Sequence, residues 1–214
     1  LIPRNLGETS PTTQVIPDSE VVYSPTSLGF DPASFVRSAN GYLNTYREYL
    51  ASGTKTGAEV VMQVAVDNSF NPRLLLSLIE FQAHWVTGQP GNLAESEYPL
   101  GWYDINYRGL YKQLNWAVEQ LSIGYYTWRA GQLTAVTFPN QNQLRLAPEV
   151  NAGTAALQYL FSKLYNQREW SGVLYSPQGF LAIHERLFGS PWSRAETIEP
   201  LFPHDLEQPW LDLP

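Results

Sequence analysis

Apolar residues recur at helical spacing in several stretches of the chain, separated by polar segments rich in Gly and Pro. The clearest is Asn71 to Trp85, NPRLLLSLIEFQAHW, where Asn71 can cap a helix and Pro72 suits its first position. At roughly 100° per residue, Leu75, Leu78, Ile79, Trp85 and Val86 fall within about 60° of Gln82. An amide therefore sits at the centre of the apolar face. Glu80 turns about 160° away from it, toward the polar face.

The same reading places a helix from Asp31 and Pro32 through Phe35, Val36, Ala39, Leu43, Tyr46 and Leu50, and another over Ala58 to Asn68. The Asn71 helix reaches Thr87 and Gly88. Residues 88–105, GQPGNLAESEYPLGWYDI, carry few periodic apolar positions and read as a long loop, a common location for function. A long helix follows from Tyr107 to Ala130, with Gly131 as its stop, then helices over Val150 to Asn166 and, opened by Ser176 and Pro177, Gln178 to Phe188. Strand signals are weak. The pattern predicts an all-α fold of about six irregularly packed helices with a long loop after the central one. Residues 1–30, rich in Pro, Ser and Thr, read as a linker that becomes extended around Val21 to Tyr23. Residues 31–195 form the helical domain and the proline-rich residues 196–214 an exit linker.

Composition narrows the chemistry. Thirteen basic residues against twenty acidic ones give a net charge of −7, and the basic residues are scattered, which argues against nucleic acid or anionic membrane as partner. There are no cysteines, so disulfides, zinc–thiolate sites and thiol catalysis are excluded. His84, His184 and His204 share no metal-ligand spacing, and no phosphate- or dinucleotide-binding fingerprint is present, so no metal or cofactor is expected. The sequence contains no run apolar enough to span a membrane. Leu1 in place of Met is what a processed or trimmed product is expected to show, with any signal or anchor then lying upstream.

What remains is carboxylate chemistry and carbohydrate-type recognition, which flat rings with polar tips suit. Tyr98, Trp102, Tyr103 and Asp104 lie in the long loop, and Tyr125 and Tyr126 on the long helix, where Trp116 and Tyr125 read more simply as core. Glu95 and Glu97 are further loop carboxylates, and Glu119 fits a solvent-facing position on the long helix.

NPRLLLSLIEFQAHW resembles the catalytic helix of lytic transglycosylases and related lysozyme-like enzymes, with Leu74 to Ile79 as the apolar run, Ala83 at the Ser position and Trp85 at the Phe position of the Glu-Ser-x-Phe end. Gln82 then stands where the catalytic glutamate belongs. LNWAVEQLSIGYYTWRAG and NAGTAALQYLF are similar to later helices of that superfamily, while the usual Gly-Leu-x-Gln element has no clear copy near Leu100, Gly101 and Trp102. The chain is also similar to the region preceding zinc-dependent lysostaphin-type peptidase domains in some bacterial envelope proteins. The resemblance implies a lysozyme-like fold, an extracytoplasmic location, peptidoglycan or a related glycan as partner, and an attached peptidase domain.

Three functions follow as expectations. The first is a catalytically degenerate lysozyme-like domain that binds peptidoglycan glycan through Gln82, Trp85, Tyr98, Trp102, Tyr103, Asp104, Tyr125 and Tyr126, targeting an attached cell-wall hydrolase. The second is an active muramidase or lytic transglycosylase using Glu80 or a loop carboxylate as acid. The third is a non-catalytic protein-interaction scaffold.

Overall fold

Gly41 marks the first place where tertiary contacts override the helical pattern. The computed structural model describes residues 8–197. Helix α1, Pro32–Ala39, ends in the left-handed Asn40 (φ 54°), and the chain is then drawn against the segment Trp85–Gly88. Gly41 N–H donates to Val86 C=O (3.1 Å), Tyr42 N–H to Gly88 C=O (2.8 Å) and Leu43 N–H to Trp85 C=O (2.8 Å). A Cβ on Gly41 would lie 2.4 Å from the Val86 carbonyl oxygen, so this approach requires glycine. The helix predicted through Leu50 is therefore split. After α1 come a single turn α2, Tyr42–Thr45, and strand β1, Arg47–Leu50, which pairs antiparallel with β2, Gly53–Thr56.

Thr56 ends that hairpin and caps α3, Gly57–Asn68, through a reciprocal capping box with Glu59. Helix α4, Pro72–Ala83, starts as expected, with the Asn71 side chain accepting from Arg73 N–H. It ends sooner than expected, because His84 adopts the left-handed conformation (φ 55°) and Trp85 to Thr87 leave the helix axis. The long loop contains a short helix α5, Leu93–Glu97, and a 3-10 turn, Ile105–Tyr107.

Helix α6, Leu110–Arg129, runs along α7, Ala152–Leu164. They pack tightly at Gly124, where a Cβ would lie 2.8 Å from both Ala156 Cα and Tyr159 Cβ. Between them is a second hairpin, β3 Ala135–Thr137 and β4 Gln143–Arg145. Helices α8, Gln167–Tyr175, α9, Phe180–Phe188, and α10, Pro191–Glu196, complete the described chain.

The described residues are mostly helical, as expected from the weak strand signals, with two small two-stranded sheets beside the helices. The expectation for the N-terminal segment is corrected: from residue 8 it is docked, not a linker. Ser10 N–H donates to Arg145 C=O (2.8 Å), Val15 N–H to Thr154 Oγ1 (2.8 Å) and Asn151 Nδ2 to Ile16 C=O (2.7 Å). Val15, Ile16 and Val21 belong to the same core as α3, α4, α6 and α7. The domain continues through α10, just past the expected boundary at residue 195; the rest of the tail read as an exit linker, including His204, lies outside the described residues.

Candidate functional site

Helix α4 is buried almost all round, with Leu74 to Glu80 and Ala83 inaccessible, and Gln82 in its last turn is only partly buried. The Tyr165 hydroxyl, just past the end of α7, donates to Gln82 Oε1 at 2.7 Å. Gln82 Nε2, an amide nitrogen that can donate twice, has no partner among the described residues. Gly101 faces the same amide: its backbone is left-handed (φ 80°), and a Cβ there would be 3.5 Å from Gln82 Oε1. Burial raises the Tyr165 hydroxyl above its usual pKa, the bond to Gln82 opposes the shift and the nearby Tyr103 adds to it. The end of α4, the loop and the end of α7 thus meet at Gln82.

A second buried glutamine holds the loop in place. Gln113 on α6 accepts from Leu100 N–H (3.1 Å) and Trp102 N–H (3.4 Å), and donates to Trp102 C=O (2.7 Å) and Tyr107 C=O (3.0 Å). Its amide is complete where that of Gln82 is not. Fixed in this way, the Trp102 ring stacks on Trp116 with centroids 4.7 Å apart and planes 11° from parallel. Tyr98 and Tyr103 pack edge to face at 5.6 Å on the same loop, Tyr103 well exposed.

Beside this junction is an open cavity of about 310 Å³ lined by Trp102, by Thr137, Phe138, Pro139 and Gln141 of the β3–β4 turn, and by Ser162 and Lys163 of α7. Gln141 is held left-handed (φ 66°), its N–H donating to Phe138 C=O at 2.9 Å. The Lys163 ammonium lies 4.1 Å from the centroid of the Tyr159 ring. The cavity shares the loop and the end of α7 with the Gln82 junction: Trp102 follows Gly101, and Lys163 lies two residues before Tyr165. The arrangement offers an aromatic plane, amide and hydroxyl groups and one cation, which suits recognition of a polar ring better than bond-making.

Residues 14–202 match the family model of the LasA N-terminal domain. The chain belongs to that family. No curated protein and no solved structure matches it. The match agrees with the expected likeness to a region that precedes a peptidase domain, and it includes residues 14–30, in keeping with their docking on the core.

Within this LasA-type domain the sequence-derived candidates separate into two groups. Tyr98, Trp102, Tyr103 and Asp104 are on the loop beside Gln82, Asp104 capping the 3-10 turn through bonds from Asn106 N–H (2.9 Å) and Nδ2 (3.0 Å). Trp85 is fully buried between Tyr42 and Tyr46, with ring centroids at 4.7 and 4.8 Å, and presents no surface to a ligand. Tyr125 is core, and Tyr126, although exposed, is ten residues beyond Trp116, roughly 15 Å further along α6 from the residue that the loop's Trp102 stacks on.

Glu80 is not on a polar face. Because α4 is enclosed on all sides, its carboxylate is 1% exposed and serves the chain leaving the helix. Oε2 accepts from Val86 N–H (2.9 Å) and Thr87 N–H (3.0 Å), and Oε1 from the Thr87 hydroxyl and from Arg186 (2.9 Å). The loop acids are similarly engaged: Glu95 accepts from Gly91 N–H and Asn92 Nδ2 (both 2.7 Å), and Glu97 pairs with Arg108 (2.5 Å). Glu119 is exposed on α6, as expected.

Sequence reasoning missed Gln113, Tyr165 and Lys163. Gln113 carried the same signal as Gln82, an amide among Leu110, Leu114 and Ala117 at helical spacing. Glu48 was also missed. It accepts from Tyr111 N–H (2.9 Å) at the start of α6, and burial raises its carboxyl above the usual range despite hydrogen bonds from Tyr111 and Tyr46. Among the described residues no group of His, Asp and Glu is arranged to hold a metal ion, and no helix is long and apolar enough to cross a membrane.

Proposed function

We propose that this domain binds peptidoglycan-type glycan without cleaving it, in a cleft formed by the end of α4, the Tyr98–Tyr107 loop and the end of α7. The observation that carries the reading is Gln82. It occupies the acid position implied by the lysozyme-like resemblance, and its buried Nε2 has no partner among the described residues, against Gly101 of the loop whose next residue, Trp102, stacks on Trp116. Glycosidic cleavage requires a carboxylic acid to protonate the leaving oxygen, and an amide has no such proton. An amide can hydrogen-bond a sugar hydroxyl or acetamido oxygen instead. The engagement of Glu80, Glu95, Glu97 and Asp104 in capping and pairing supports binding over catalysis.

A lysozyme-like fold is part of the same proposal, supported by the order of α4, loop, α6 and α7. Family membership supports an extracytoplasmic location and a partnership with a peptidase domain, which glycan binding would hold at the wall. Co-sedimentation of the purified chain with insoluble peptidoglycan tests the reading, with the supernatant analysed for released sugars. Binding with no released fragments is expected. Release of muropeptides would overturn it and direct attention to Glu48, the carboxyl that burial holds above its usual range.

A further inference from the structure

One of the residues lining the cavity next to the Tyr98–Tyr107 loop, Lys163, has no acidic counter-ion among the described residues. Lys163 is half-buried. Its ammonium is held against the Tyr159 ring, and burial lowers its pKa. Removing a cation from water without a partner costs free energy that a bound anion would offset.

The remaining lining is specific about the rest of that ligand. Trp102 is backed by Trp116, so a ring stacked on it meets a rigid surface. Phe138 and Pro139 extend the apolar wall, while Thr137, Gln141 and Ser162 supply hydroxyl and amide groups. At about 310 Å³ the cavity is near the lower end of the roughly 300–1,000 Å³ range of small-ligand sites, which suits one sugar residue.

We propose that this cavity selects a sugar bearing a free carboxylate, with Lys163 as its counter-ion. The inference rests on the glycan-binding reading and adds to it a chemical condition. In intact peptidoglycan the lactyl carboxyl of muramic acid is closed as an amide to the stem peptide. It carries charge only after that amide is hydrolysed. The ligand is then the product of an amidase-class reaction, a glycan strand stripped of peptide. The net charge of −7 opposes a densely charged polyanion, whereas one carboxylate per disaccharide facing one lysine is a charge density this surface accepts.

Titration of the purified chain, followed by amide-resolved NMR, tests the inference with four probes. They are the N-acetylglucosamine–muramic acid disaccharide with a free lactyl group, its lactyl methylamide, di-N-acetylchitobiose, and a glucuronic-acid disaccharide. The free acid is expected to bind five- to tenfold more tightly than the methylamide, with chemical-shift changes at Trp102 and Lys163, and added salt should weaken only the acid. Lys163→Gln should remove the difference between acid and methylamide while leaving spectral dispersion unchanged. Equal binding of acid and methylamide, or discrimination that survives Lys163→Gln, overturns the counter-ion role while the glycan reading stands. Failure of all four probes overturns the glycan reading itself. Tighter binding of the glucuronic-acid probe upholds carboxylate selection and overturns muramic acid as its source.

Discussion

The Tyr165 hydroxyl donates to Gln82 Oε1 at 2.7 Å, and the other half of the same amide, Nε2, has no partner among the described residues. A protein selected only for stability would complete or remove such a group, since a buried unpaired donor costs about 1–3 kcal/mol. Replacing both partners by apolar groups of similar shape, Gln82→Met with Tyr165→Phe, should therefore leave stability unchanged or raise it by about 1 kcal/mol. Glycan affinity should fall at least tenfold. Urea denaturation and co-sedimentation measure the two effects, and a double variant that loses stability but keeps binding would make the pair structural.

Glu80 and Arg186 are an asymmetric pair, 1% and 56% exposed at their side chains. Glu80→Ala leaves the N–H groups of Val86 and Thr87 without their acceptor inside the core, and about 3–5 kcal/mol of stability should be lost. Arg186→Ala removes a solvent-screened partner and should cost less than about 1 kcal/mol. Comparable losses in equilibrium unfolding would show that the ion pair, not the capped turn, is the stabilising element. The contrast bears on function too, because an acid with this assignment has no role in a cleft.

The parts of the fold legible in the sequence are those whose local signals agree with their burial. Helices α3, α4, α6 and α7 have apolar periodicity, and α3, α4 and α7 add a polar cap at Thr56, Asn71 and Asn151, so their starts fall within a few residues of expectation. The rest was set by distant partners. Tyr46 and Leu50 keep helical spacing, yet Gly41 is held against Val86 and the following chain pairs as a hairpin. The segment Thr9 to Tyr23 has no periodicity because its order comes from Thr154, Asn151 and Arg145, more than a hundred residues away. At the site, Gln82 was visible as a polar residue on an apolar face. Lys163 was not, since a lysine in the last turn of a helix is ordinarily a solvated end charge.

Close packing at Gly124 predicts an outcome opposite to helix propensity. In an isolated helix Gly→Ala gains about 1 kcal/mol. Here the added methyl would meet Ala156 Cα and Tyr159 Cβ at 2.8 Å, atoms of the α7 backbone and a stiff stem. Gly124→Ala should cost about 1–3 kcal/mol by forcing α6 and α7 apart, and it should also disturb Lys163 through Tyr159. Thermal unfolding checks the first effect and NMR shifts at Lys163 the second. A stabilised variant would mean that the two helices slide without penalty.

A buried network predicts how the fold responds to acid. Arg194 donates to His184 Nε2 (2.9 Å) and to both oxygens of Glu20 (3.0 Å each). An arginine cannot accept, so Nε2 is the acceptor and the ring is neutral with its proton on Nδ1. That proton is donated to Ser77 Oγ (2.9 Å), whose own hydroxyl donates to Arg73 C=O (2.9 Å). Burial lowers the His184 pKa from 6.5, Glu20 opposes the shift, and Arg194 and Arg73 reinforce it. The folded state resists the proton that the unfolded state takes up, so stability falls as pH drops from about 6.5 toward the folded-state pKa. For Glu20 burial acts to raise the pKa, but the two hydrogen bonds and the charge of Arg194 hold it below 4.5, which adds a second loss of the same sign as pH falls below about 4.5. Urea denaturation at intervals from pH 7.5 to 4 should show the first decline beginning near 6.5. His184→Gln, which can keep an acceptor toward Arg194, should flatten that upper part and spare the lower one. An unchanged slope between pH 6.5 and 5 in this variant would assign the acid response to groups other than the cluster joining α9 and α10 to the Asp18–Glu20 turn.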